Sequence, residues 1–128
     1  MKNLALVLMA FAIVLGACEP FEPTAQNCSV KGRWVAMGST LYQYTDSFRY
    51  TIYSVDGNFG TLADAIPGRH AWSMSGDTLV EDLNGRNISK KVVDFDCDCQ
   101  VMNLSWESMG QRFTHKLWKE GFDTATCR

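Results

Sequence analysis

The cysteines are the residues whose spacing most restricts the chemistry of this chain. Four of the five, Cys28, Cys97, Cys99 and Cys127, follow an apolar N-terminal run. An even number of cysteines in an oxidising compartment predicts two disulfides, and four cysteines allow three pairings. A zinc site that also uses the two histidines is the alternative, but zinc ligands usually come in pairs separated by about two to five residues. Cys97 and Cys99 are separated by one residue, so we expect disulfides and no metal.

The fifth cysteine, Cys18, ends a pattern that predicts export and lipid attachment. Lys2 gives a positive start, and residues 4–15 are uncharged and apolar. This run suits a signal-peptide core and is too short for a membrane span of about 20 residues. Residues 15–18 (Leu-Gly-Ala-Cys) resemble the bacterial lipobox, which implies cleavage before Cys18, a diacylated side chain and a third acyl chain on its amine. The alternative is an ordinary signal peptide with an incidental cysteine.

This interpretation divides the chain into three parts. Residues 1–17 are the signal peptide, residues 18–27 are the lipidated cysteine with a polar tether, and residues 28–128 form one small domain. Two or more acyl chains anchor a protein stably to a membrane. Glu19 stands where some bacteria use an aspartate to mark inner-membrane retention. We therefore expect a lipoprotein of the bacterial cell envelope, anchored to the outer membrane on its periplasmic or outer face.

The remaining composition excludes several classes of function. Loss of Lys2 with the signal peptide leaves 11 basic side chains against 14 acidic ones, and no basic run suggests nucleic-acid binding. No serine lies in a Gly-x-Ser-x-Gly nucleophile motif. Asp94, Asp96 and Asp98 alternate like the start of a calcium loop, but the glycine and glutamate that such a loop needs are absent. We expect no catalytic residue, cofactor or metal.

From Gly32 onwards, short segments of alternating or β-branched and aromatic residues recur, and each ends in turn-forming residues. Turns at 56–58, 75–77 and 84–85 suit tight hairpins, because glycine and asparagine tolerate positive φ. A polar loop carrying Tyr42 and Tyr44 is expected after the first strand. The predicted strands span about residues 32–38, 48–55, 59–63, 69–75, 78–83, 87–95, 100–107 and 111–119.

This series of strands predicts an all-β fold. Eight strands joined by short turns favour an antiparallel up-and-down barrel, because closure removes the two edges that a flat sheet would expose. A β-sandwich is the alternative, since turn positions alone do not prove which strands are neighbours. On the second predicted strand, residues 48–55, the alternation points Phe48, Tyr50 and Ile52 towards the core.

The barrel topology brings all four remaining cysteines to one end. Cys28 precedes the first strand, Cys127 follows the last, and Cys97 and Cys99 lie between the sixth and seventh strands. Two residues of an extended strand hold their Cα atoms near the limit of about 7 Å for a disulfide. We therefore favour a crossed pairing, in which Cys97 and Cys99 each bond one terminal cysteine. A Cys28–Cys127 bond with a Cys97–Cys99 bond is the alternative.

Four short motifs resemble those of small lipocalin-like lipoproteins found in Bacteroidetes. They are Gly-x-Trp at 32–34, Tyr-x-Ile at 50–52 before a glycine turn, Trp-x-Met-x-Gly-Asp-x-Leu at 72–79, and the strand 102–106. The resemblance covers most of residues 28–127. It implies a lipocalin-like barrel that holds a small apolar molecule or binds a protein, without catalysis.

In lipocalins a basic side chain from late in the chain packs over the tryptophan of the first strand. The resemblance implies the same arrangement for Trp34, with Arg112 or Lys119 as the basic partner.

An eight-stranded barrel is just wide enough to be filled by side chains or to hold one small ligand. If it holds a cavity, we expect the mouth at the end away from the cysteines, with aromatic walls and a few polar groups. The candidate ligand-binding residues are Tyr42, Tyr44, His70, Trp72, Trp106 and Phe113.

The function expected from the sequence is therefore binding of a small hydrophobic or amphipathic ligand by a membrane-anchored barrel. The alternative is a protein-binding module or inhibitor that acts through the loops of the open barrel end, as small lipoprotein inhibitors of c-type lysozymes do. The sequence does not name a protein partner.

Overall fold

The structure is a computed structural model that describes residues 27–127. The predicted signal peptide, Cys18 and most of the tether lie outside the described residues. Eight antiparallel strands form a closed up-and-down barrel in chain order, which confirms the predicted fold and excludes the sandwich. The strands are β1 (Gly32–Met37), β2 (Thr40–Tyr44), β3 (Phe48–Tyr53), β4 (His70–Ser75), β5 (Thr78–Asp82), β6 (Ile88–Asp96), β7 (Val101–Ser108) and β8 (Gln111–Lys119). Within the described part, no helix is long and apolar enough to span a membrane.

Two predicted elements are wrong. One predicted loop is a strand and one predicted strand is part of a loop, so the number of strands is still eight. Residues 40–44, expected in a polar loop, form β2 between β1 and β3. Residues 59–63, expected to form a strand, belong instead to the long β3–β4 connection, which contains the short 3-10 helix Leu62–Asp64. Thr61 and Asp64 form a capping box, in which each side chain accepts a backbone hydrogen bond from the other end of the turn. This cap turns the chain where a strand would have to continue.

The predicted inward face of β3 is also wrong. Thr51 pairs with Tyr42, which pairs in turn with Trp34 of the core, so these residues share the inner face. Ile52 pairs with Leu41 on the outer face, yet both are fully buried. The β3–β4 connection packs its 3-10 helix against β3 on that outer face, which explains why apolar residues there avoid water.

The four cysteines lie at one end of the barrel, as predicted, which we call the disulfide end. Cys28 bonds Cys99, and Cys97 bonds Cys127, so the crossed pairing is confirmed. Both bonds use the β6–β7 turn, where Cys97, Asp98 and Cys99 all adopt positive φ. The N-terminal segment and the C-terminal segment are therefore both fixed to this one turn.

Trp34 organises the core above the disulfides. It is fully buried, and its indole N–H donates a hydrogen bond to the Val30 carbonyl (2.8 Å). Gly32 has φ +132°, a conformation that L side chains rarely adopt, which gives the glycine of the Gly-x-Trp motif a physical role. The Lys119 ammonium lies 5.6 Å from the centre of the Trp34 ring. Of the two basic residues expected near this ring, Lys119 is the one that lies over it.

We predict that the longer disulfide contributes more to stability. Replacing Cys28 and Cys99 with serine should lower the free energy of unfolding by about 4 kcal/mol, because it frees a loop spanning 71 positions. Replacing Cys97 and Cys127 should cost slightly less, since that loop spans 30 positions. Urea unfolding without reductant measures both. A loss below about 1 kcal/mol for the first variant would contradict the prediction.

Candidate functional site

The structure divides the six candidate ligand-binding residues into two separate groups. Tyr44 and Trp72 meet edge to face, with ring centres 5.6 Å apart, and the Trp72 indole donates to the Thr45 carbonyl (3.0 Å). Trp106 and Phe113 stack on β7 and β8, with ring centres 5.7 Å apart. Because β7 ends and β8 begins away from the disulfides, this second group lies towards the opposite end. The six residues do not line one pocket.

A cavity of about 430 Å³ opens at the disulfide end. The N-terminal segment 28–31 forms one wall, and Trp72, Met74 and Phe95 form an apolar wall facing it. Met74 is 40% exposed, although its strand partner Leu79 is fully buried. The cavity therefore exposes apolar surface of Met74, next to Trp72 and Phe95, which also pack against the core. The sequence predicted the cavity mouth at the opposite end, because disulfides were expected to close the end that carries the cysteines.

The rim of this cavity is charged. Lys31 and Asp46 form an ion pair with an N–O distance of 2.6 Å. The hydrogen bond from Lys31 lowers the pKa of Asp46 below its usual range, and the positive charge of Lys31 adds to this effect. Both ions are exposed, so either can be displaced by a polar group at little cost. A molecule with an apolar body and a polar end would match this combination of wall and rim.

A buried polar network lies beside the cavity's inner wall and was missed from the sequence. Glu81 is 1% exposed, and its Oε2 lies 3.0 Å from Arg49 Nε, while Tyr44 donates to its Oε1 (3.3 Å). The Arg49 guanidinium also lies 4.6 Å from the centre of the Tyr42 ring. Burial raises the pKa of Tyr44, and the negative charge of Glu81 raises it further, so this phenol stays a donor. His70 lies next to this network, paired with Arg49 across β3 and β4.

Three of the six candidate residues lie in or beside this network, namely Tyr42, Tyr44 and His70. Arg49 and Glu81 are held together by charge, although neither Arg49 Nε nor Glu81 Oε2 has a hydrogen bond of good geometry within the described residues. No local pattern links Arg49 to Glu81, which lie on β3 and β5, so only the alternation of β3 could have indicated an inward arginine.

A second cavity, of about 440 Å³, lies in the barrel wall between β6 and β7. The pairing of these strands stops at Val92 and Ser105, and the cavity begins there. Trp106 lines it, so one member of the second aromatic group borders a cavity of its own.

The described residues offer little else for chemistry. All four cysteines that a zinc site would need are used in disulfides. Across residues 27–127, no group of three or more His, Cys, Asp or Glu side chains is arranged to hold a metal ion. Asp96 accepts a hydrogen bond from Asn103 (2.7 Å) across β6 and β7. No family model, curated protein or solved structure matches this chain.

We predict that the Arg49–Glu81 pair is costly to break but replaceable. Glu81→Ala should lower the free energy of unfolding by about 3–5 kcal/mol, because it leaves the Arg49 charge buried without a counter-ion. The double variant Arg49→Met, Glu81→Leu should recover most of that loss in urea unfolding. A double variant as unstable as Glu81→Ala would contradict this account.

We also predict that His115 makes the protein less stable in mild acid. Burial lowers the pKa of His115, and the nearby Lys91 charge lowers it further, although a hydrogen bond with the Ala36 backbone opposes this. The unfolded chain then binds a proton near pH 6.5 while the folded protein does not, so stability falls as the pH drops below about 6.5. His115→Gln should lose less stability between pH 7.5 and pH 5.5 in urea unfolding. An unchanged pH dependence would contradict the prediction.

Proposed function

We propose that this protein is a lipid-anchored lipoprotein of the bacterial envelope whose barrel binds a small apolar or amphipathic molecule. The binding site in this proposal is the cavity at the disulfide end. The observation that carries it is the apolar wall of Trp72, Met74 and Phe95 on a cavity of about 430 Å³. Small-molecule sites typically occupy about 300–1,000 Å³ and combine such walls with a few polar groups.

The proposed ligand would bury its apolar part against this wall. Its polar end would lie at the rim, beside the Lys31–Asp46 pair. An anionic end would interact with Lys31, whereas a cationic end would interact with Asp46. The buried core leaves little other space, because Trp34, Met102 and Leu117 are fully buried.

The position of the cavity also suits a protein tethered by Cys18. The chain enters the barrel at Cys28, which lines the cavity. Ten residue steps from Cys18 to Cys28 span at most about 35 Å. With Cys18 in a bilayer, the cavity would remain close to the membrane surface, where amphipathic molecules concentrate.

Three features support the lipocalin-like assignment within this proposal. The fold is an eight-stranded up-and-down barrel, the Gly32–Trp34 motif has the conformation described above, and Lys119 lies over the Trp34 ring. The disulfides support a location outside the cytoplasm, since such bonds persist in oxidising compartments.

The test is a binding measurement with decanoate and decanol as probes. We predict that Met74→Glu weakens binding of decanoate by at least about tenfold, because it places a like charge in the apolar wall. The chain with Cys18→Ser, purified with both disulfides, would be titrated by native mass spectrometry or calorimetry.

Met109→Glu is the matched control, because Met109 is fully exposed in the β7–β8 turn, away from the cavity. This variant should bind as the wild type does. Failure of both probes to bind the wild type, or equal weakening by the two variants, would contradict the proposed site.

A second candidate function is protein binding at the end opposite the disulfides. Met37, Val55 and Met109 lie in or beside three connections at that end and are at least 72% exposed. Exposed apolar side chains on several neighbouring turns are typical of protein interfaces. Replacement of all three with serine should abolish any inhibition of a c-type lysozyme by this protein. Unimpaired inhibition by that variant would remove this candidate.

A further inference from the structure

We infer that the gap in the barrel wall between β6 and β7 is a binding site for an extended acidic segment of a partner protein. This inference concerns a different part of the barrel from the proposed ligand cavity. It rests on strand edges that lack a partner, on a cavity between them, and on the charges around that cavity.

The gap has a well-defined origin in the strand register. Val92 pairs with Ser105, but beyond this point β6 residues 88–91 pair only with β5, and β7 residues 106–108 pair only with β8, within the described chain. The halves of β6 and β7 that lie farther from the disulfides therefore diverge. The cavity of about 440 Å³ lies between them, with Lys90 on one side and Trp106 on the other.

The backbone of Lys90 points into this gap. The Val93 N–H donates to the Asp77 carbonyl on the β5 side (2.7 Å). Because strand residues alternate in the direction of their backbone groups, Lys91 also bonds towards β5, whereas the Lys90 N–H and C=O face β7. An unpaired strand edge of this kind can accept an extended peptide as an additional strand.

The side chains of the gap favour a negatively charged partner. Among the described residues, Lys90 and Arg112 line it, with Glu107 as the one acidic lining residue, and the Lys91 ammonium lies 4.9 Å from the centre of the Trp106 ring, although the whole chain carries a net charge of −2. Neither Lys90 nor Arg112 forms an ion pair among the described residues; Arg112 donates to Ser105 Oγ (3.3 Å). These cations can therefore pair with acidic side chains of an incoming strand.

Apolar contacts would complete the site. Val92 is 42% exposed, and Trp106 lines the cavity while stacking on Phe113. Alternate side chains of an added strand point in opposite directions, so the apolar set could contact Trp106 on the inner face while the acidic set meets Lys90 and Arg112 on the outer face. An extended segment that alternates apolar and acidic residues has the required chemistry.

The experiment uses the full chain carrying Cys18→Ser and two capped seven-residue peptides. One peptide alternates valine and glutamate, and the other alternates valine and lysine. We expect the acidic peptide to slow amide hydrogen exchange at Lys90 and to shift the resonances of 106–108 in NMR spectra. Lys90→Glu should weaken its binding about tenfold. Lys116→Glu, an exposed lysine on the outer face of β8, should leave binding within about twofold.

Three outcomes would overturn the inference. The first is unchanged exchange at Lys90 with the acidic peptide at about 2 mM, which would occupy most of a site with a Kd below about 1 mM. The second is equal binding of the basic peptide. The third is an equal effect of Lys90→Glu and Lys116→Glu, which would indicate only general attraction between charges.

Discussion

Closure of the barrel depends on a short seam between its first and last strands. β1 and β8 pair at only two positions, Trp34 with Lys119 and Val35 with Trp118, whereas β7 and β8 pair along eight. Two kinds of contact reinforce this seam. The crossed disulfides fix both terminal segments to the β6–β7 turn, and Arg33 forms an ion pair with Glu120 just beyond β8. The seam therefore depends on disulfides and an ion pair that lie outside the backbone pairing of β1 with β8.

This constraint also shapes the proposed binding site. The Cys28–Cys99 bond and the hydrogen bond from Trp34 to Val30 hold the N-terminal segment against the barrel. That segment is one wall of the cavity, so the same bonds that close the barrel create the space beside Trp72 and Met74. Arg33 further donates to the Gly60 carbonyl (2.7 Å), which ties the long β3–β4 connection to the seam.

Sequence reasoning predicted the features that depend on local chemistry and on topology. Glycine and asparagine turns marked the hairpins after β4 and β5, and barrel connectivity brought the cysteines together. It failed where distant segments decide the outcome. The apolar alternation of Phe48, Tyr50 and Ile52 describes a buried face, but the β3–β4 connection covers that face from outside. Arg49 could then turn inward only because Glu81, on another strand, offers an opposite charge.

The same difference between features set by local sequence and features set by distant segments holds for the candidate site. Of the six candidate residues, Trp72 and Trp106 each line a cavity, and the two cavities are different ones. Their assignment to a single pocket required the true register of β4 and β7, which the sequence does not contain. Tyr44 and Tyr42 contact the Arg49–Glu81 pair, and His70 is the strand partner of Arg49, so these three lie apart from Trp106 and Phe113.

The most direct test of the central claim is the location of a bound amphiphile in solution. Intermolecular nuclear Overhauser effects would be recorded between the methylene protons of decanoate and the protein with both disulfides intact. The account predicts contacts to the Trp72 indole and the Met74 methyl group, at the disulfide end. Contacts to Trp106 and Phe113 instead, or none at saturating decanoate, would contradict it.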